Sequence, residues 1–416
     1  MNINYDRGIE MKFTLSKNEL SKLSTLVKTS QTVSDVSIKA SHYMFKLADK
    51  LYASIYGSGN VVDFSVEVTD VELSGNGYFN VDVTQLIQAF EKVYMASGAD
   101  VATADVQANK IIVSNGKSRI SVNLFDLLDE ADFTEAFAAL PSKKTEKFAA
   151  NTVAATITPD VVSFMETVGK FINMVGNDRV SGLSLKDNKI LYCDQAFSII
   201  DKTVPDQLTN GEKVYIPQNT FALLSAISKL AGTYNVTYSE DGQYMLIEVP
   251  QIGFNAIITV PETLCEYPED EVLKQICPDE TNMIEFDVDI PTLLTKMNMF
   301  DGVFPSSQWR WKTIEFYNKN EDGEKSMNMR YSNMCAEVDT DLPVMNLNEV
   351  GNIPEFSFRL ASILVYDYLN KLVGGARTAH VKVSPLEADQ PHGVGVIFDV
   401  DNFRLVTSKM VNEDSI

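Results

Sequence analysis

Histidine and cysteine are scarce in this chain: three histidines, His42, His380 and His392, and four cysteines in 416 residues. Cys193, Cys265, Cys277 and Cys335 form no CxxC pair and have no histidine at zinc-ligand spacing, so a zinc site is not expected. The histidines are too dispersed to suggest a triad. No Walker A, GxGxxG or HExxH motif occurs, and the GSG at 57–59 is not a nucleophile elbow. No metal or cofactor is therefore expected, although a carboxylate pair meeting in space is not excluded by sequence. No apolar run approaches a membrane span, and residues 1–10 lack the apolar core of a signal peptide. With scattered thiols, this suits a soluble chain of a reducing, cytoplasmic compartment. Basic residues are also few, 35 Lys+Arg against 57 Asp+Glu, for a net charge of −22. That excludes a uniformly basic, nucleic-acid-coating surface but leaves room for a local basic stripe.

What is present is a globular composition, 45% hydrophobic and 22% charged, at a length that predicts two to four domains. A repeat organises it. Six segments share a short alternating strand, a helix-start signal and an apolar stripe at helical spacing: FTLSKNEL, FNVDVTQL, ATITPDVV, VYIPQNTF, FDVDIPTL and FSFRLASI. Leu15, Val81, Ile157, Ile216, Val288 and Phe358 form one apolar column. Leu20, Leu86, Val162, Phe221, Leu293 and Ile363 form the next. Between them Ser16, Asp82, Thr158 and Asp289 are expected helix caps, and Ser16 with Glu19 is a capping box. Pro217 suits a first helical turn, while Arg359 fits neither role. About three strands with polar turns follow each helix. Odd and even copies differ, so the period is a pair of copies. The fold expected is α+β, in three doubled domains at residues 11–140, 147–270 and 281–416, with 1–10 as an extension. Linkers are expected at 140–151 and 267–282.

In this arrangement the chain resembles the bacterial DNA polymerase sliding clamps, the beta subunit of DNA polymerase III. The resemblance begins at MKFTLSKNEL from Met11 and covers 11–411. Its most specific match is GKSRISV at 116–122 followed by ADF at 131–133. Its divergence, and the residues before Met11, suit a phage-encoded member working in the host cytoplasm. The resemblance implies a non-enzymatic processivity factor: a head-to-tail homodimer closing a six-domain ring around double-stranded DNA, helices inside and sheets outside. Its partners would be the polymerase and a clamp loader, with no membrane. Twelve helices packed side by side at roughly 9–10 Å would leave a lumen of about 27 Å, enough for a hydrated duplex.

A sliding ring must tolerate phosphates without gripping them. The six expected helices, counted as 16–28, 82–97, 158–175, 217–231, 289–300 and 359–373, net +2, leaving −24 for the rest. Their lysines, Lys17, Lys22, Lys28, Lys92, Lys170, Lys229, Lys296 and Lys371, are the expected DNA-facing residues. The resemblance places a partner-peptide pocket at Val180, Asp194, Gln195, Ala196, Phe197, Ile199, Leu405, Val406 and Met410. Where the family has Asp-Gly-His-Arg-Leu this chain has DQAFS at 194–198, and where it has Met-Pro-Met-Arg-Leu this chain has TSKMV at 407–411, so a different peptide is expected. It places the ring interface at Ile120 and Val122 against Met299 and Phe300. Trp309, Arg310 and Trp311 read as a half-buried strand rather than a base-stacking platform. The competing class is a non-enzymatic multi-domain structural or scaffold protein of repeated α+β units. A hydrolase is the weakest option.

Overall fold

The structure is a computed structural model. It describes residues 11–31, 42–57, 59–125, 130–148, 153–175, 182–186, 189–193, 198–203, 213–301, 313–321, 324–332, 337–348, 356–372, 376–386, 393–401 and 403–410. Two compact units emerge: Met1–Val162 with Asn219–Pro261, and Ser163–Gln218 with Glu262–Ile416.

The first unit opens with β1 (Met11–Ser16), α1 (Lys17–Gln31), β2 (His42–Leu47), β3 (Lys50–Gly57) and β4 (Asn60–Glu67). After an edge strand, β5 (Thr69–Leu73), the pattern repeats as β6 (Tyr78–Asp82), α2 (Val83–Ser97), β7 (Val101–Val106), β8 (Lys110–Ser114) and β9 (Arg119–Asn123). Then come α3 (Glu130–Lys147) and β10 (Val153–Ile157), which leads into α4 (Pro159–Val175). Beyond a gap in sequence the unit resumes with α5 (Phe221–Ala231), β15 (Tyr234–Tyr238), β16 (Tyr244–Val249) and β17 (Phe254–Thr259).

The second unit holds β11 (Gly182–Lys186), β12 (Lys189–Cys193), β13 (Ser198–Thr203), β14 (Val214–Pro217), α6 (Glu262–Cys265) and α7 (Glu269–Ile276). Its last two copies are β18 (Ile284–Asp289), α8 (Ile290–Asp301), β19 (Thr313–Glu321), β20 (Glu324–Ser332) and β21 (Glu337–Leu342), then β23 (Ser357–Ala361), α9 (Ser362–Asp367), β24 (Thr378–Val383), β25 (Gly395–Val400) and β26 (Phe403–Ser408). A two-residue strand, β22 (Val344–Met345), lies between them.

The expected unit of strand, helix and three strands thus occurs six times. Both apolar columns are buried wherever their side chains are described, because the strand's period of two and the helix's 3.6 aim them at one core. In the first unit Phe45 stacks on Phe79 with centroids 5.2 Å apart; in the second Phe316 stacks on Phe358 at the same distance. The caps form as expected at four starts. Asp82 accepts from the Thr84 and Gln85 N–H groups, Asp289 from Thr292, Thr158 from Val161 and Ser16 from Glu19. The capping box closes only halfway, since the Glu19 carboxylate accepts from the Glu67 N–H on β4 instead.

Two expected starts move. Pro217 ends β14 and a 3-10 turn precedes α5, so that helix starts at Phe221. Arg359 lies in β23, opposite Glu315, and its helix starts at Ser362. The expected linkers are helices. Within 140–151, α3 continues to Lys147 despite Pro141, because Phe133, Ala136 and Leu140 bury one face. Leu140 sits with Val61, Leu246 and Ile257 on β4, β16 and β17. Within 267–282, α7 buries Val272 and Ile276.

The strands assemble into four sheets: β5-β1-β7-β8-β9, β10-β15-β16-β17-β4-β3-β2-β6, β14-β11-β12-β13-β26-β25-β24-β18-β22 and β21-β20-β19-β23. The two long sheets are joined through the last strands of copies. β4 of the first copy pairs with β17 of the fourth, Phe64 opposite Phe254. β13 of the third pairs with β26 of the sixth, Ile199 opposite Val406. The last strands of the second and fifth copies, β9 and β21, are sheet edges.

Candidate functional site: a cavity on the outer sheet face

Strand alternation decides which side chains can line a site beside β26. Leu405 is opposite Phe398 and has no exposed surface; it belongs to the core. Val406 and Arg404 point the other way, in register with Ile397 and Asp399. On that face, in the second unit, is a cavity of about 470 Å³, the size of a small ligand or a few side chains. Leu191, Ile397 and Val406 form an apolar floor, α7 supplies Glu269, Asp270 and Leu273, and Cys277 and Pro278 follow. Ser184, Lys186, Lys189, Glu280 and Arg404 complete the lining.

The charges are ordered. Glu269, only 5% exposed, accepts from Ser184 Oγ and Lys213 Nζ, each at 3.0 Å. Burial pulls the Lys213 ammonium down, but the Glu269 hydrogen bond and charge outweigh it and the group titrates above its ordinary value. Lys213 also reaches Asp270 at 3.3 Å, and that hydrogen bond holds the Asp270 carboxyl below its usual range. Arg404 makes a two-pronged bond to Asp399 at 2.7 and 2.8 Å and a third to Glu280 at 2.7 Å. Lys382 takes the other Glu280 oxygen at 2.7 Å and lowers its pKa. The cavity's acids are thus paired with bases of the same chain.

Of the expected pocket residues, Val406 lines this cavity. Met410 is half-buried, its N–H donating to the Arg359 carbonyl at 2.9 Å. Ile199 is placed by backbone register opposite Val406 and Cys193. Val180, Asp194, Gln195, Ala196 and Phe197 lie outside the described residues, as do Trp309, Arg310 and Trp311. The α7 wall went unread in the sequence. Its signal was there: Pro268, acids at 269–271, Lys274 in the last turn, and Val272 with Ile276 at i, i+4.

The expected DNA-facing lysines divide. Lys28 and Lys92 are exposed on α1 and α2. Lys17 pairs with Asp100 at 3.0 Å, and Lys22 is 3.9 Å from Glu19. Lys296 is committed to β21, 2.7 Å from Asp341 and 3.1 Å from Thr340 Oγ1. Lys229 is exposed on α5, and the side chains of Lys170 and Lys371 lie outside the description. At the expected interface Ile120 is half-buried and Val122 buried, both on the edge strand β9. Met299 is 51% exposed, but Phe300 has no exposed surface and packs into its own core. Among the described residues no group of three His, Cys, Asp or Glu could hold a metal ion, and no helix is long and apolar enough to cross a membrane.

The fold is that of the bacterial sliding clamps. The DNA polymerase III beta subunit of Thermotoga maritima matches over 97% of this chain and 100% of its own, with a TM-score of 0.63 and 12% identity. The beta chain from Streptococcus pneumoniae matches over the same shares at 0.64 and 12%. The Helicobacter pylori beta clamp bound to a DNA ligase peptide matches likewise at 0.63 and 13%. No family sequence model matches the chain, and no curated protein matches it by sequence.

Proposed function

We propose that the chain is a DNA polymerase processivity factor, a non-enzymatic sliding clamp that encircles duplex DNA and holds a polymerase through a peptide. The observation that carries this reading, beside the full-length clamp fold, is the pair of free edges. Copies one and four join through their last strands, as do three and six, leaving the last strands of two and five. A second copy of the chain, added head to tail, would pair its β9 with this β21 and complete a third sheet of the same kind. Closing both such seams gives a homodimeric ring without those edges.

The edges match in chemistry. β21 presents Glu337, Asp339 and Asp341 outward and Val338, Thr340 and Leu342 inward. β9 presents Arg119, Ser121 and Asn123 outward and Ile120 and Val122 inward. Arg119 lies opposite Ser114 on β8, as Asn255 lies opposite Glu248 and Arg404 opposite Asp399. By backbone register both of those counterparts stand opposite an aspartate position across their join, Asp63 or Asp201. By that rule Arg119 meets Asp339 or Asp341. This favours β21, rather than Met299 and Phe300, as the partner of Ile120 and Val122.

The cavity under α7 is the proposed peptide site, and Lys28 and Lys92 head the phosphate-facing lysines. The test is retention on a nicked circular plasmid in the presence of a clamp loader. Retention should vanish when the plasmid is linearised. Equal retention on circle and line would sink the reading.

A further inference from the structure

We propose that Lys296 couples the lumen to the seam, so that DNA phosphate inside the ring strengthens the contact between copies. This rests on the ring reading and adds how ring closure responds to DNA.

The register of the seam follows from the two joins within the chain. By backbone register Asp63, ending VVD at 61–63, stands opposite Asn255, and Asp201, ending IID at 199–201, stands opposite Arg404. Asp339 ends the corresponding EVD at 337–339, so Arg119 falls opposite Asp339. Within their own sheet Arg359, Glu315, Arg330 and Asp339 form a row of alternating sign, which Arg119 continues. Two residues further along the first join, the Ser65 N–H donates to the Gly253 carbonyl at 2.9 Å. The same step along the seam sets Asp341 against Lys117, exposed in the turn between β8 and β9. The step the other way sets Glu337 against the uncharged Ser121.

Asp341 is already engaged. Lys296 on α8 donates to it at 2.7 Å and to Thr340 Oγ1 at 3.1 Å. The Lys296 bond holds the Asp341 carboxyl below its usual range. An ammonium placed there both satisfies Asp341 and repels Lys117. Lys296 is also one of the lysines expected to face DNA. A phosphate that draws it away leaves Asp341 to Lys117, once at each seam. By linkage, the ring that DNA tightens also holds DNA better. Lys17 and Lys22 carry no such coupling, since their acids, Asp100 and Glu19, lie away from β9 and β21.

The test is the dimer dissociation constant of the full chain, measured by sedimentation equilibrium without DNA. Lys296→Gln should tighten the dimer about fivefold, because an exposed ion pair is gained at each seam. A lysine that only touches phosphate would change nothing here, and one that only braces β21 would weaken the dimer when removed. Lys296→Met, which keeps the aliphatic stem, should behave alike, with circular dichroism verifying both folds. Adding Lys117→Gln to Lys296→Gln should return the constant to that of the parent. A short blunt duplex should tighten the parent dimer by a larger factor than the Lys296→Gln dimer. An unchanged or weaker dimer in both Lys296 variants, or a gain that survives Lys117→Gln, overturns the inference. Plasmid retention is measured on the same preparations. If the parent is retained while the Lys296 variants leave the dimer unmoved, the clamp reading stands without this inference. A chain that is monomeric at every concentration and not retained defeats both.

Discussion

Asp63 shows how one residue feels its place in the fold. It sits on β4 where that strand meets β17, opposite Asn255, and accepts from Ser54 Oγ at 2.6 Å. Burial pushes its carboxyl up to about 6, and the Ser54 bond offsets only part of that. An aspartate raised above its unfolded value binds its proton more tightly when folded. Stability is therefore greatest at low pH on this account and falls as pH rises from about 4 to about 6. Asp63→Asn should remove that slope and stabilise the first unit at pH 7 by on the order of 2 kcal/mol. Urea midpoints at pH 4.5 and 7 measure it; the same pH dependence in variant and parent would refute the assignment.

Among the elements, those with a clean period were legible in the sequence and those with a mixed one were not. Leu15 and Leu20, or Val81 and Leu86, mark a strand turning into a helix because alternation gives way to 3.6-residue spacing within a few positions. In α3 the stripe is three residues, Phe133, Ala136 and Leu140, and a proline followed by three lysines and a glutamate among the next six residues reads as a linker. Its helicity comes from tertiary burial: Leu140 fills the space over Val61, Leu246 and Ile257, and Lys143 and Lys147 lie over the Tyr244 ring at 4.7 and 5.5 Å. Leu140→Ala should cost roughly 2–4 kcal/mol, and α3 should then be cut first in limited proteolysis. Unchanged protease resistance would argue against this seat. The cavity was missed for the same reason, since its α7 wall reads as charged sequence. The pairing of β4 with β17 joins residues about two hundred positions apart, and no local pattern encodes that register.

At the scale of the whole chain the repeat was legible and its joins were not. Six copies follow from aligned columns, whereas the rule joining copy one to four and three to six appears only in the sheets. That rule gives the proposed dimer a specific test. Arg119→Glu would place an acid against Glu337, Asp339 and Asp341, and should turn the dimer mass in light scattering into a monomer mass. Adding Asp339→Arg and Asp341→Arg to the same chain should restore the dimer. A mass unmoved by Arg119→Glu would rule out the β9–β21 seam. The proposed DNA-facing side follows the same economy of charge: Lys17, Lys22 and Lys296 are engaged with acids of their own chain, so a shallow dependence of DNA retention on salt is expected.

The two helices that replaced the expected linkers have unequal consequences around the proposed ring. α3 lies on β3, β4 and β17, strapping the first join, and α7 lies on β12 and β26, strapping the second. β9 and β21 are touched by α2 and α8, but each of these is the helix of the strand's own copy rather than an added strap. The seam between copies would rest on strands of five and six residues and a few ion pairs, without a buckle across it. Such a necklace parts at its clasps and never between its beads. Raised salt would loosen the clasps while the strapped, covalently continuous joins hold.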